Sequence, residues 1–124
     1  MARLKEIVVD CDHPAGLARF WAAVLTDYEI RAYDDAEISR LAALGLTPET
    51  DPSVMVDGPG PSLCFHKKTP DRTGRAPLHL DIVGGPRETE VARILALGGR
   101  VRDVHDGYTV MLDPEGNAFC VLDP

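Results

Sequence analysis

The chain has 124 residues, a length typical of one domain, and its 13 Lys and Arg against 20 Asp and Glu give a net charge of −7. This acidic balance argues against nucleic acids and anionic membrane surfaces as partners, because both attract clustered basic residues. No apolar run is long enough to span a bilayer, and no secretory signal is recognisable. The three scattered cysteines are typical of a reducing compartment, so we expect a cytoplasmic protein.

Three helices are predicted from apolar periodicity and from the residues that begin and end them. The first begins at Pro14, with Asp12 or His13 as its cap, and the last begins at Pro86. A shorter helix is predicted between them, ending before Gly45. The apolar stripe of the first helix repeats at helical spacing and consists of Leu17, Phe20, Trp21, Val24 and Leu25.

Eight short strands are predicted from period-two alternation and from the turns that 11 Gly and 10 Pro favour. They lie near residues 5–11, 28–33, 53–57, 62–67, 77–83, 100–104, 108–112 and 117–122. Asp113, Gly116 and Asn117 are predicted to shape the turn before the last strand, because these residue types favour turn backbone.

An internal repeat organises these elements. VMVD at 54–57 reappears as VMLD at 110–113, and IVVD at 7–10 resembles LHLD at 78–81. The segments at 7–10 and 78–81 each precede a predicted helix that begins at a proline. The sequence therefore predicts an α+β fold of two βαβββ modules, with the short helix inserted in the first.

We expect a single domain over residues 1–124, with module one at about 1–70 and module two at about 75–124. One face of each strand is apolar and is expected to pack on the helices. The opposite faces carry polar and sulfur side chains, which are the candidate ligand-binding residues Asp10, Cys64, His66, His79, Asp81 and Cys120. Such faces are typical of a semi-polar ligand cavity, with a solvated or dimer-facing surface as the alternative.

His79 is the candidate catalytic residue among these side chains. Imidazole titrates near neutral pH, which suits either a general acid or a general base. The alternative is a hydrogen-bonded histidine with a structural role.

Three segments in a fixed order carry a family resemblance: DCDHP followed by ARFWAAVL, then LHLDIV, then VMLDPEGNAFCVLD. In these the chain resembles the vicinal oxygen chelate superfamily, also called the glyoxalase/bleomycin resistance/dioxygenase superfamily, and most of all its glyoxalase-like subgroup. The resemblance implies paired modules whose sheets curl around one cavity. It also implies a homodimer.

The same resemblance implies a divalent metal held by side chains from the first and fourth strands of each module. Those positions fall on Val8, Cys64, His79 and Cys120, and His79 alone matches the usual ligand types. We therefore expect no functional metal or other cofactor. Zn²⁺ bound by His79, Cys64 and Cys120 is the alternative, because zinc accepts imidazole and thiolate.

Three functions remain open at this point. The first is a glyoxalase-like protein that binds a small molecule without the usual metal. The second is an enzyme, a metal-dependent lyase, isomerase or dioxygenase that acts through His79. The third is a stand-alone interaction domain whose polar sheet face binds another chain.

Overall fold

The structure of the protein is a computed structural model that describes residues 6–68 and 80–124. The chain divides into two compact units, Met1–Gly74 and Arg75–Pro124. The element order is β-α-β-α-β-β in the first unit and β-α-β-β-β in the second. The predicted α+β class, the two modules and the inserted helix are therefore confirmed.

The first unit holds a four-stranded sheet and two helices. Its elements are β1 (Glu6–Cys11), α1 (Pro14–Val24), β2 (Glu29–Ile30), α2 (Asp35–Ala43), β3 (Ser53–Asp57) and β4 (Ser62–Lys67). The strands lie in the order β1-β4-β3-β2, where β1 is parallel to β4 and the other neighbours are antiparallel. The parallel pair is possible because α1, β2, α2 and β3 all intervene in the chain.

The ends of the two helices follow from local chemistry, with one correction. Pro14 begins α1 as predicted. His13 occupies the N-cap position, but its side chain makes no capping hydrogen bond, so the predicted capping role of His13 is wrong. At α2 the Asp34 carboxylate accepts the Glu37 N–H at 2.8 Å, which satisfies one of the helix's first amides. Gly45 follows α2 with φ of +73°, a conformation that glycine adopts without steric cost.

The core of the first unit lies between α1 and one face of the sheet. Phe20 and Trp21 are both buried, and their rings meet edge to face with centroids 5.3 Å apart. The buried side chains that face them from the strands are Val54, Val56, Leu63 and Phe65. Full burial of a side chain of this size contributes about 1.5–3 kcal/mol, so this apolar face fixes the position of α1 on the sheet.

The second unit repeats the arrangement with one helix. Its elements are β5 (Leu80–Val83), α3 (Arg87–Ala96), β6 (Arg100–His105), β7 (Tyr108–Leu112) and β8 (Ala118–Leu122). The strands lie in the order β5-β8-β7-β6, with β5 parallel to β8. Residues 77–79 of the predicted fifth strand lie outside the described residues. Within the described parts of the chain, no helix is long and apolar enough to span a membrane.

The core of the second unit lies beneath α3. Ile94 of α3 is completely buried, as are Met111, Phe119 and Val121 on the strands. Asp113 is also buried, with 1% of its surface exposed, in the turn between β7 and β8. Its carboxylate accepts the backbone N–H groups of Glu115 and Asn117, each at 2.9 Å, as the predicted turn requires.

Three predicted strands have different bounds in the structure, and the last of them, β8, begins at Ala118 where 117 was predicted. β2 has two residues where 28–33 was predicted, because the chain leaves the sheet after the Arg31 N–H bonds to the Met55 carbonyl. β6 extends one residue beyond the predicted 100–104, to His105, and the His105 ring stacks on Tyr108 with centroids 4.6 Å apart.

Candidate functional site

Each sheet has one face covered by a helix and an opposite face, called here the open face. The registers of the strands show which side chains share a face, because directly opposed residues point to the same side. Five of the six predicted ligand-binding residues lie on the open faces of the described strands. The sixth, His79, lies outside the described residues, so its catalytic role stays a prediction.

On the open face of the first sheet, two rows of side chains cross β1, β4 and β3. Asp10 lies opposite His66, which lies opposite Ser53. In the neighbouring row Val8 lies opposite Cys64. Asp10 is half-buried and His66 is exposed, so this unit brings a carboxylate and an imidazole together on adjacent strands.

Cys64 is the most enclosed of the predicted residues in the first unit, with 8% of its surface exposed. Its Sγ lies 3.5 Å from the Ser53 Oγ, within range of a weak hydrogen bond to sulfur. Sequence reasoning missed Ser53. The signal that would have found it is the antiparallel pairing of β3 with β4, which sets Ser53 beside the predicted histidine.

On the open face of the second sheet, one row of residues crosses all four strands. Asp81 of β5 lies opposite Cys120, Cys120 opposite Val110, and Val110 opposite Asp103 of β6. Val110 is buried and Cys120 is half-buried, whereas the two carboxylates at the ends of the row are exposed. The row therefore combines an apolar centre with charged ends.

The Cys120 thiol is held in its protonated form. Burial raises the pKa of this thiol, and the nearby Asp81 carboxylate raises it further through its charge and through a hydrogen bond that the thiol donates. The charge of the Arg102 guanidinium acts on the same pKa in the opposite direction. At neutral pH the group offers a weak hydrogen-bond donor rather than a thiolate.

Arg102 is the second residue that sequence reasoning missed. The pairing of β6 with β7 shifts register between Val101 and Asp103, so Arg102 is the extra residue of a β-bulge. Its Nε lies 3.0 Å from the Asp103 Oδ2. The signal in the sequence is that RVRDVH departs from period-two alternation, with Val101 and Val104 three positions apart on one face.

The donor set does not fit the metal centre that the family resemblance implies. Val8 has a hydrocarbon side chain and cannot ligate a metal ion. Among residues 6–68 and 80–124, no three His, Cys, Asp or Glu side chains are arranged to hold a metal ion. A zinc site formed by His79, Cys64 and Cys120 stays a prediction, because His79 lies outside the described residues.

Comparison with known proteins gives the family. The model of the glyoxalase-like domain family matches residues 6–122, which is nearly the whole chain. The chain belongs to the glyoxalase-like domain family. No curated protein sequence gives a significant match.

Solved structures of the superfamily share the fold of this glyoxalase-like protein. A glyoxalase/bleomycin resistance protein/dioxygenase family enzyme from Burkholderia phytofirmans PsJN is 14% identical, with 98% of each chain covered and a TM-score of 0.71. TnmS3, an antibiotic binding protein from Streptomyces sp. CB03234, is 15% identical over 100% of this chain and 97% of that one, with a TM-score of 0.61. The fosfomycin resistance protein FosX from Mesorhizobium loti is 12% identical over 98% and 90%, with a TM-score of 0.60. At these identities the likeness shows the fold alone.

Proposed function

We propose that this glyoxalase-like protein binds a small polar molecule on the open face of its second sheet, without a divalent metal. The observation that carries the proposal is the pairing of Asp81 with Cys120 on that face, with the charge of the Arg102 guanidinium acting on the same thiol. A carboxylate accepts hydrogen bonds, a protonated thiol donates one weakly, and a guanidinium binds anions in a planar fork. A ligand with both an anionic group and a hydroxyl or amine donor suits this set.

The surroundings of Asp81 and Cys120 favour binding over simple solvation. Val110 is buried and Leu122 is half-buried on the same face. Small-molecule sites are mostly apolar, with a few polar groups that orient the ligand. A hydrogen bond made beside such apolar side chains competes less with water, so a small number of polar contacts contributes more to affinity.

The names of two structural neighbours support small-molecule binding as a use of this fold. TnmS3 is described as an antibiotic binding protein, and FosX as a fosfomycin resistance protein. For the present chain we extend only the idea that a small molecule is bound, because the identities of 15% and 12% leave the binding residues free to differ. The chemical class is argued instead from Asp81, Cys120 and Arg102.

The other predictions stand beside this proposal. Asp10, Cys64 and His66 remain predicted ligand-binding residues of the first unit. The enzyme alternative depends on His79, and the interaction-domain alternative requires a macromolecular partner for the same polar faces. We also propose a reducing, cytoplasmic location, because no disulfide joins the three cysteines, Cys11, Cys64 and Cys120.

Isothermal titration calorimetry tests the proposal with three probe classes: phosphonates, including fosfomycin, short hydroxycarboxylates and amino acids. We expect saturable binding of one class, unchanged by EDTA. Arg102→Gln should weaken that binding at least 10-fold, equivalent to about 1.4 kcal/mol, whereas Arg40→Gln on α2 serves as the matched control and should leave it unchanged. Absence of saturable binding in all three classes, or binding that requires an added divalent metal, would overturn the proposal.

A further inference from the structure

The second unit has an apolar groove on the side of its sheet that α3 covers, opposite to the open face. The groove has a volume of about 330 Å³ and lies between α3 and the edge strand β6. Its apolar lining consists of Val91, Ala92 and Leu95 from the helix and Val101 and Val104 from the strand. Val104 is 71% exposed and Leu95 is 46% exposed, so this apolar lining is accessible to a ligand.

Contacts at both ends of the groove hold its walls together. At one end the chain passes from α3 into β6 through the buried Gly99, where an added Cβ would lie 2.6 Å from the Ile94 side chain. At the other end the Arg87 guanidinium of α3 donates a hydrogen bond to the His105 carbonyl of β6 at 2.9 Å. Because helix and strand are joined at both ends, the space between them is preformed, as small-molecule sites usually are.

One polar side chain lies on the floor of the groove. Thr109 of β7 is paired with Val104 on one side and with Val121 on the other, so its side chain points to the α3 side of the sheet, as that of the fully buried Val121 does. Thr109 is 4% exposed, and its hydroxyl makes no hydrogen bond within the part of the chain that the structure describes. Because Thr109 lines the groove, this hydroxyl can donate or accept one hydrogen bond with a ligand there.

The first unit shows that the fold does not require a hydroxyl at this place. Val54 has the equivalent position on β3: it lies beside the edge strand, on the side of the sheet that α1 covers. It lines a smaller cleft of about 140 Å³ between α1 and β2, as Thr109 lines the groove between α3 and β6. A hydrocarbon side chain is therefore sufficient for packing, and the hydroxyl of Thr109 is a feature of the groove.

The cleft of the first unit also indicates which kind of molecule suits the groove. That cleft is lined by the phenol ring of Tyr33, which comes from the segment between β2 and α2. The Tyr33 hydroxyl donates to the Asp51 carboxylate at 2.8 Å. In the second unit only residues 106 and 107 separate β6 from β7, so there is no inserted segment to supply such a ring.

Charge and size narrow the chemical class further. The Arg87 Nε pairs with the Asp123 Oδ1 at 3.0 Å, so this guanidinium is already engaged by two partners. Glu88 is exposed beside it, and its charge disfavours an anion, while the apolar walls disfavour a charge of either sign. An apolar cavity of about 150 Å³ holds benzene, so a groove of about twice that volume suits a ring with a short chain.

We propose that the groove between α3 and β6 binds a neutral, mostly apolar molecule of the size of an alkylphenol, through a hydrogen bond between its hydroxyl and Thr109. This site is separate from the one proposed on the open face. Cys120 of that face and Val121 beside Thr109 are consecutive residues of β8, so their side chains point to opposite sides of the sheet.

Isothermal titration calorimetry with para-ethylphenol and ethylbenzene tests the proposal, because the two probes differ by the hydroxyl alone. We expect the wild-type chain to bind para-ethylphenol saturably, with a Kd below about 1 mM, and about 5-fold more tightly than ethylbenzene, the effect of one neutral hydrogen bond. Thr109→Val should abolish this preference, whereas Thr109→Ser, which keeps a hydroxyl, should retain it. Circular dichroism verifies that both variants are folded.

A second set of variants tests the place of binding. Ala92→Trp fills the groove from an exposed position on α3 and should abolish binding of para-ethylphenol. Ala42→Trp is the matched control, because Ala42 is an exposed helical alanine of the first unit, and it should leave binding unchanged. Arg102→Gln should also leave it unchanged, which separates this site from the one on the open face.

The proposal is overturned by the absence of saturable para-ethylphenol binding, by binding that survives Ala92→Trp or is lost in Arg102→Gln, or by a preference for the phenol that survives Thr109→Val. Sedimentation velocity without ligand examines a second copy of the chain as the other occupant. We expect Ala92→Trp to leave the sedimentation coefficient unchanged. Self-association that Ala92→Trp abolishes would assign the groove to a protein interface and would also overturn the proposal.

Discussion

Replacing Asp113 by alanine should destabilise the second unit more than any exposed acidic substitution in the chain. The Asp113 Oδ1 accepts the Glu115 and Asn117 backbone N–H groups, each at 2.9 Å, and its Oδ2 accepts the Asn117 Nδ2 at 2.9 Å. These contacts hold the turn that sets β8 in register with β7. Because Asp113 is 1% exposed, water does not readily replace the lost acceptor.

The magnitude follows from those hydrogen bonds. A hydrogen bond to a charged group contributes about 1.5–3 kcal/mol, and a buried donor left without an acceptor costs about 1–3 kcal/mol. Removing the carboxylate also relieves its own burial, which offsets part of the loss. We therefore expect Asp113→Ala to lower the free energy of unfolding by about 3 kcal/mol, and Asp113→Asn, which retains one acceptor oxygen, to lower it by about half as much.

Urea denaturation followed by circular dichroism measures this difference, with exposed Asp35→Ala as the control. The control should change the free energy of unfolding by no more than about 0.5 kcal/mol. An Asp113→Ala variant whose free energy of unfolding lies within about 0.5 kcal/mol of the wild-type value would refute the reasoning. So would an Asp113→Asn variant less stable than the alanine variant, because the order of the two depends on the retained acceptor.

Two further predictions follow from shifted pKa values. Because Asp81 raises the pKa of the Cys120 thiol, Asp81→Asn should move the pH profile of iodoacetamide labelling at Cys120 to lower pH, as measured by mass spectrometry of the peptide; an unmoved profile contradicts the contact. Hydrogen bonds from Arg31 and Ser62 lower the pKa of Asp57 below its ordinary 3.8, so the stability it contributes is present above that value and lost as the pH falls through the lowered pKa. The free energies of unfolding of wild type and Asp57→Asn should differ by about 1 kcal/mol or less near neutral pH. The resulting difference in Tm should disappear in acid; a difference in Tm that widens in acid contradicts the assignment.

Much of the fold was predictable because its signals are local. Alternation along the chain predicted the bounds of β3, β4 and β7, where one strand face is buried and the other is not. The helix ends were predictable where backbone geometry demands a particular residue. Gly45, for example, has φ of +73° shortly after the end of α2, a conformation that other residues rarely adopt.

The parts that escaped prediction depend on contacts between distant segments. Nothing local to residues 28–33 shows that the chain turns away toward α2 after Arg31. The role of Arg102 arises from a bulge that is defined only by pairing with β7. The protonation of Cys120 depends on Asp81, which is far along the chain and adjacent across the sheet. Sequence patterns identified which faces are polar, and the register decided which polar groups meet.

The central claim is metal-independent binding of a small polar molecule at Asp81, Cys120 and Arg102. An NMR titration of the ¹⁵N-labelled chain, using whichever phosphonate, hydroxycarboxylate or amino acid binds in calorimetry, tests it most directly. We predict that the largest amide shifts lie at residues 81, 102 and 120 and are the same with and without EDTA. Shifts confined to the first unit, or shifts that disappear with EDTA, would contradict the claim.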